Sequence, residues 1–257
     1  MRTTPGASRR LAAAVGFLLA LGVAAWPLAA SAYRPFNSTD AAVAAKGEVE
    51  IEAGPGYLVE GPDRTLVAPS LVLNWGFTDR WEAVLEGRHF VKLGSNIEEP
   101  RLRVEDTALS LKGVLREGSL QEKRGPSVAT ELSALLPTIN GGPGVGAEWA
   151  VIVSQRWPDL TVHVNGAAAW TRAHEPGVFG GVILEGHDAW TVRPVAEVFV
   201  EHERDLPTTV SGLLGAIWRV SDRLALDAAV RRARAGGTDT TELRVGLTWG
   251  FSVGFPR

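Results

Sequence analysis

From Glu242 to Val253 the chain reads Glu-Leu-Arg-Val-Gly-Leu-Thr-Trp-Gly-Phe-Ser-Val, apolar at every odd position and polar or glycine at every even one. Successive side chains of a strand point to opposite faces, so a period of two predicts a strand with one apolar and one wetted face. Its length exceeds the usual five or six residues and suffices for the roughly 9 to 11 tilted residues that cross a bilayer.

The same period begins at Gly47 and recurs along the chain. Val49, Ile51, Ala53, Tyr57 and Val59, then Val67, Pro69, Leu71, Leu73 and Trp75, then Trp81, Ala83 and Leu85 hold odd positions, while Glu48, Glu50, Glu52, Ser70, Asn74, Glu82, Glu86 and Arg88 hold even ones. A strand that carries charge on one face needs water on that face. After these three, strands are expected near 104–116, 127–137, 145–157, 159–172, 177–186, 189–202, 208–220, 222–233 and 240–253, with the phase moving between odd and even. The pattern is weakest over 104–116 and 177–186, where Gly113, Gly180 and Gly181 dilute it. Pro69 and Pro194 fall on the apolar face inside strands; each removes a ladder hydrogen bond, which a closed sheet accommodates at bulges.

The connections alternate. Tight turns are expected at Thr78-Asp79, Pro158-Asp159, His187-Asp188 and Ser221-Asp222, and longer loops at 94–103, 138–144, 173–176, 203–207 and 234–239, with the long stretch Glu117 to Pro126 an exception on the tight side. Short turns on one rim, longer loops on the other and an even strand number describe an antiparallel up-and-down transmembrane β-barrel of about twelve strands, all-β in class. Tryptophan adds independent support. Trp75, Trp81, Trp157, Trp190, Trp218 and Trp249 lie near the tight turns or the C-terminus, and Trp149 and Trp170 near the opposite ends, as aromatic girdles at two water–lipid interfaces would. The competing reading is a soluble periplasmic sandwich or lipocalin-like binder with tryptophan as core filling.

Composition narrows the setting. Arg2, Arg9 and Arg10 precede an apolar stretch from Leu11 to Ala30 and the small-residue site Ala30-Ser31-Ala32, which predicts a secretory signal peptide over 1–32; an uncleaved anchor is the alternative. The formal charge of −3 becomes more acidic once those arginines are removed, which argues against nucleic acid as a partner. With zero cysteines in an exported chain, packing and sheet hydrogen bonds must hold the fold. The expected location is the outer membrane of a Gram-negative-type cell, reached through the general secretory route, with outer-membrane lipid and the barrel-assembly machinery as partners.

Several short segments resemble a known family. Tyr33-Arg34-Pro35-Phe36-Asn37-Ser38-Thr39-Asp40-Ala41-Ala42-Val43, the following Lys46-Gly47-Glu48-Val49-Glu50-Ile51-Glu52, the unit Asn74-Trp75-Gly76-Phe77-Thr78-Asp79-Arg80-Trp81-Glu82, its echo Val220-Ser221-Asp222-Arg223-Leu224, and the closing Val245-Gly246-Leu247-Thr248-Trp249-Gly250-Phe251 are similar to members of the family named for the MetA pathway of phenol degradation. Ser38-Thr39-Asp40-Ala41 stands where that family has Thr-Asp-Asp. The resemblance implies an outer-membrane barrel that transports small, including aromatic, compounds. Residues 33–46 read as a periplasmic lead-in or a partial plug, with Ser38 or Thr39 capping a short helical turn that Gly47 stops.

Candidate chemistry is sparse. His163 and Asn165 share the inward face of one strand, with no serine expected beside them to form a barrel-phospholipase type of arrangement, and neither paired cysteines nor a phosphate-cradling loop is present, so no catalytic residue is assigned. Glu201, His202, Glu203 and Asp205 read as a solvated charged loop before they read as a metal site, and no metal or cofactor is expected. The lumen-facing charges carry more. Glu48, Glu50, Glu52, Glu82 and Glu86 sit on early strands, and Arg219, Asp227, Arg231, Glu242 and Arg244 on the last three. Closing the barrel brings the two groups together as a transverse charge lattice, or leaves them to solvate the passage. The reading is a passive channel or transporter, against a non-conducting barrel filled by side chains.

Overall fold

The computed structural model describes residues 34–94 and 101–254. The expected signal peptide, residues 1–32, lies outside the described residues. Twelve antiparallel strands follow one another around a closed barrel: β1 (Glu48–Glu60), β2 (Asp63–Gly76), β3 (Trp81–Leu93), β4 (Leu102–Arg116), β5 (Ser127–Leu135), β6 (Gly146–Arg156), β7 (Leu160–Trp170), β8 (Pro176–Gly186), β9 (Val192–Glu203), β10 (Thr209–Ser221), β11 (Leu224–Ala235) and β12 (Thr238–Ser252). Closure pairs β1 with β12 in a ladder from Glu48↔Ser252 to Glu60↔Thr240. No strand edge is left unpaired, which is the condition for a sheet to exist in hydrocarbon.

The barrel is inverted relative to a soluble one. Leu71, Leu85, Leu109, Leu132, Val164, Val198, Leu214, Val230, Leu243 and Val245 are exposed on the outer face, with Leu214 at 71%. Glu50, Glu52, Glu82, Lys112, Glu197, Glu242 and Arg244 are buried inside. The soluble lipocalin-like alternative needs the opposite arrangement, an apolar interior under a polar coat. The described tryptophans face outward or lie across the wall. Trp75, Trp157, Trp190, Trp218 and Trp249 are exposed beside the rim where β1 begins and β12 ends. Trp81 pairs directly with Gly113 of β4, and its ring covers the position a Cβ would occupy there. Gly113, which weakened the strand pattern, is thus the seat of a girdle tryptophan.

Two features break the simple period. One extra residue in β2 at Ala68–Pro69 shifts its register against both β1 and β3, so Pro69 does sit at a bulge. The bulge also flips the phase: Val67, expected on the lipid face with its odd-numbered neighbours, is 1% exposed inside the barrel. A second bulge at Asp106–Thr107 in β4 relates β3 to β4, with Asp106 at φ 54. Pro194 follows a different rule. It pairs with Ala216 of β10 in unbroken register and lies one residue beyond the last β8–β9 pair, Glu185↔Val195, so its missing N–H falls where β8 no longer asks for one.

The rims are also less uniform than expected. The loop expected over 234–239 is a two-residue turn, Gly236-Gly237, because β11 runs to Ala235 and β12 starts at Thr238. Both glycines have positive φ, the geometry that closes a tight hairpin. The long 117–126 connection has a reason: its short 3-10 turn, Ser119–Gln121, folds under the barrel, where Leu120 packs toward the cluster of Ala41, Ala129 and Ile152.

Candidate functional site: the lumen and its N-terminal segment

Residues 34–46 lie inside the barrel. They form no helix; the capped turn expected from Ser38 or Thr39 is absent because barrel side chains take the main-chain donors that a helix would have used. Arg34 N donates to Glu52 Oε2 at 2.9 Å, Ser38 N to Glu197 Oε1 at 2.6 Å, Thr39 N to Asn165 Oδ1 at 3.0 Å, Ala41 N to Ser154 Oγ at 2.9 Å and Ala44 N to Glu82 Oε2 at 2.6 Å. Asn165 Nδ2 answers on the carbonyl of Thr39 at 2.8 Å, and Gln121 Nε2 on that of Ala41 at 3.0 Å. The segment therefore runs around the inner wall past β12, β9, β7, β6 and β3 before it enters β1. Close approach is permitted by glycine. A Cβ at Gly246 would strike the Arg34 guanidinium, and one at Gly76 the carbonyls of Ala44 and Ala45.

Its side chains are held too. Arg34 Nε meets Asp227 Oδ2 at 3.3 Å, and its Nη2 donates to the carbonyl of Val245 at 3.0 Å. Phe36 packs on Val195, Ile217 and Ala225. Lys112, wholly buried on β4, reaches Thr39 Oγ1 at 3.2 Å, Asp40 Oδ1 at 3.4 Å and Glu82 Oε1 at 3.6 Å.

This placement sorts the expected lumen charges into two groups, bridged by Arg244, whose Nη1 donates to the carbonyl of Pro35 at 2.6 Å. Glu48, Glu52, Glu82 and Asp227 hold the N-terminal segment, and Glu50 is buried beside them on the same face of β1. Arg231 and Arg244 do not cross to those early acids as the charge-lattice idea required. They gather on Glu242, with Arg231 Nε at 2.9 Å from Oε2, Arg244 Nη2 at 2.8 Å from the same oxygen, and Arg88 Nη2 at 2.7 Å from Oε1. The physical reason is competition: the main-chain amides of 34–46 occupy the early carboxylates. Arg219 stands at the turn rim, exposed, donating to the carbonyl of Ala189 at 3.1 Å, away from either group. Glu86 faces a cavity of about 380 Å³ above the segment, bordered also by Glu131, Glu148, Glu201, Arg172 and Phe179. Arg172 braces that outer half by donating to the carbonyls of Leu136 at 2.7 Å and Thr107 at 2.6 Å.

A serine does stand beside His163, contrary to expectation. Ser154, nine residues away on β6, stands opposite His163 in the β6–β7 ladder, with Oγ 2.8 Å from Nδ1, and Glu185 Oε1 lies 3.5 Å from Nε2. The arrangement superficially resembles a hydrolytic triad. It lacks what one needs: Ser154 is 0% exposed, its oxygen accepts the Ala41 amide, and none of the three borders the cavity. The Ser154 Oγ–His163 Nδ1 hydrogen bond, whose direction follows the imidazole tautomer, braces the wall under the segment, with Glu185 beside the ring. The loop group Glu201, His202, Glu203 and Asp205 is divided by strand alternation. Glu201 and Glu203 turn inward, with Glu203 accepting from Thr171 Oγ1, while the His202 ring meets Thr208 Oγ1 outside.

Lys112, Glu197 and Arg34 were not singled out by the sequence pattern. The first two left a trace, each a charge flanked on its own face by apolar or small residues, Ser110 and Val114 beside Lys112 and Val195 and Phe199 beside Glu197.

No protein-family model matches the chain, and no curated protein matches it either. Solved structures do share its fold. An outer-membrane channel from Pseudomonas putida F1 is 11% identical over 84% of this chain and 100% of that one, with a TM-score of 0.61. The NanC porin is 9% identical over 77% of this chain and 98% of its own, at 0.57, and the KdgM porin 10% identical over 78% and 99%, at 0.53. The fold is that of outer-membrane channel and porin β-barrels.

Proposed function

We propose that the chain is a passive channel for small molecules in the outer membrane, with the rim at which β1 starts and β12 ends facing the periplasm. The observation that carries this is the inversion of the barrel: an apolar outer belt around an interior of charged side chains, with an open cavity of about 380 Å³ on the long-loop side. Outer-membrane lipid is the surroundings that such a belt fits. Export by the general secretory route, removal of residues 1–32 and delivery by the barrel-assembly machinery follow from the same reading.

The resemblance to the MetA-pathway family supports small, including aromatic, solutes. The cavity offers Phe36 and Phe179 as apolar surfaces amid Glu86, Glu148, Glu201 and Arg172, which suits a small ring bearing polar groups better than a bare hydrocarbon. The second reading, a non-conducting barrel, is favoured by one observation, the seating of residues 34–46 across the lumen. Liposome swelling separates the two. Vesicles carrying the purified protein should swell in isotonic solutions of small phenols and sugars at rates that fall with solute size; swelling no faster than in protein-free vesicles would contradict a channel.

A further inference from the structure

The segment 34–46 and the wall that holds it are built differently. The wall is one continuous ladder whose closing pair of strands starts at Glu48↔Ser252, and no residue of 34–46 takes part in it. The segment has no repeating structure of its own. Its main-chain amides rest on carboxylates, an amide and a hydroxyl of β1, β3, β6, β7 and β9, its side chains add the exchangeable pairs Arg34–Asp227 and Asp40–Lys112, and Phe36 and Ala41 are its apolar anchors. Carboxylates that accept main-chain N–H groups in a wetted lumen can accept water instead, so departure exchanges hydrogen bonds and does not orphan them. A hydrophobic plug would have no such route.

We infer that residues 34–46 are a displaceable strap: an intramolecular ligand seated in a binding site for extended main chain in the periplasmic half of the lumen, narrowing the passage while seated and widening it on release. Glu52, Glu82, Asn165, Ser154 and Glu197 form the site. They read the backbone and few side chains, so the ligand class is an extended peptide, and its resident is the chain's own N-terminal segment. The inference rests on the channel reading above.

A reversible lock tests it in the full chain. Ser38 Oγ touches the position a Cβ at Gly181 would take, and that oxygen has no hydrogen-bond partner. With zero cysteines in the sequence, the pair Ser38→Cys and Gly181→Cys can form a single disulfide between strap and β8. In planar bilayers, the oxidised protein should conduct several-fold less on average than the same protein after reduction. A second variant lacking residues 34–46 should conduct several-fold more than the full chain, and a synthetic peptide of residues 34–46 added to it should lower that conductance again. Its folding is checked by heat-modifiable gel mobility; if it does not fold, the lock alone decides. Equal conductance of the oxidised and reduced lock, with both forms conducting, would overturn the strap and leave the channel standing. Absence of conductance in every form, the reduced lock and the folded deletion included, would overturn both.

Discussion

Glu242 gathers three guanidinium groups on one carboxylate. Its carboxylate, 1% exposed, receives Arg88, Arg231 and Arg244 at 2.7, 2.9 and 2.8 Å, and so joins β3, β11 and β12 across the closing seam of the barrel. In Glu242→Gln the shape is kept, but one oxygen becomes an amide donor aimed at a guanidinium. Charge-assisted hydrogen bonds contribute about 1.5–3 kcal/mol each, so three treated as independent would give roughly 4.5–9 kcal/mol. That is an upper bound. Arg88 and Arg231 are 21% and 12% exposed to the lumen and regain water, and Arg88 also reaches Asp106 at 3.5 Å. Removing one partner of a buried pair typically costs about 3–5 kcal/mol, and we place this substitution near the bottom of that range, about 3 kcal/mol. The assay is urea unfolding in phospholipid vesicles followed by tryptophan fluorescence. Adding Arg88→Gln to Glu242→Gln should recover part of the loss, because it removes one uncompensated guanidinium. A loss below about 1 kcal/mol with no recovery in the double variant would refute the claim that one carboxylate organises the three arginines.

Other substitutions test other parts of the structure. Leu214→Arg, in mid-strand on the lipid face, should cost about 2–4 kcal/mol in the same unfolding assay, whereas Ser70→Arg on the lumen face should change stability by less than about 1 kcal/mol. Gly236→Val puts a β-branched side chain at φ 54 in a two-residue hairpin and should cost about 1–2 kcal/mol. Gly113→Val displaces the Trp81 ring and should cost about 1–3 kcal/mol, with a shift in tryptophan emission that Gly142→Val, in open space on a loop, does not produce.

The strands and the girdle were legible because lipid outside and water inside impose a period of two that any stretch of β9 or β12 displays by itself. The phase was legible only between bulges. Val67 and Pro69 read as one apolar face, yet an inserted residue at Ala68–Pro69 turns Val67 inward, and nothing in a string of apolar letters marks where a ladder gains a residue. The inward position of Glu52, Glu82 and Glu242 was likewise readable, but not what each holds. Glu197 and Ser38 are far apart in sequence, as are Ser154 and Ala41, and a contact between a strand and an irregular segment leaves no periodic trace. The 117–126 connection stood out as too long for its rim; that it did so because it supports Ala41 through Gln121 and Leu120 could be seen only in three dimensions.

Conduction by this barrel can be observed one molecule at a time. Its most direct test is single-channel recording of the purified chain, residues 33–257, inserted into planar bilayers in symmetric salt. Small, discrete, ohmic steps should appear one insertion at a time. Insertion verified by protease protection, with no step above the bare membrane under either polarity, would contradict conduction.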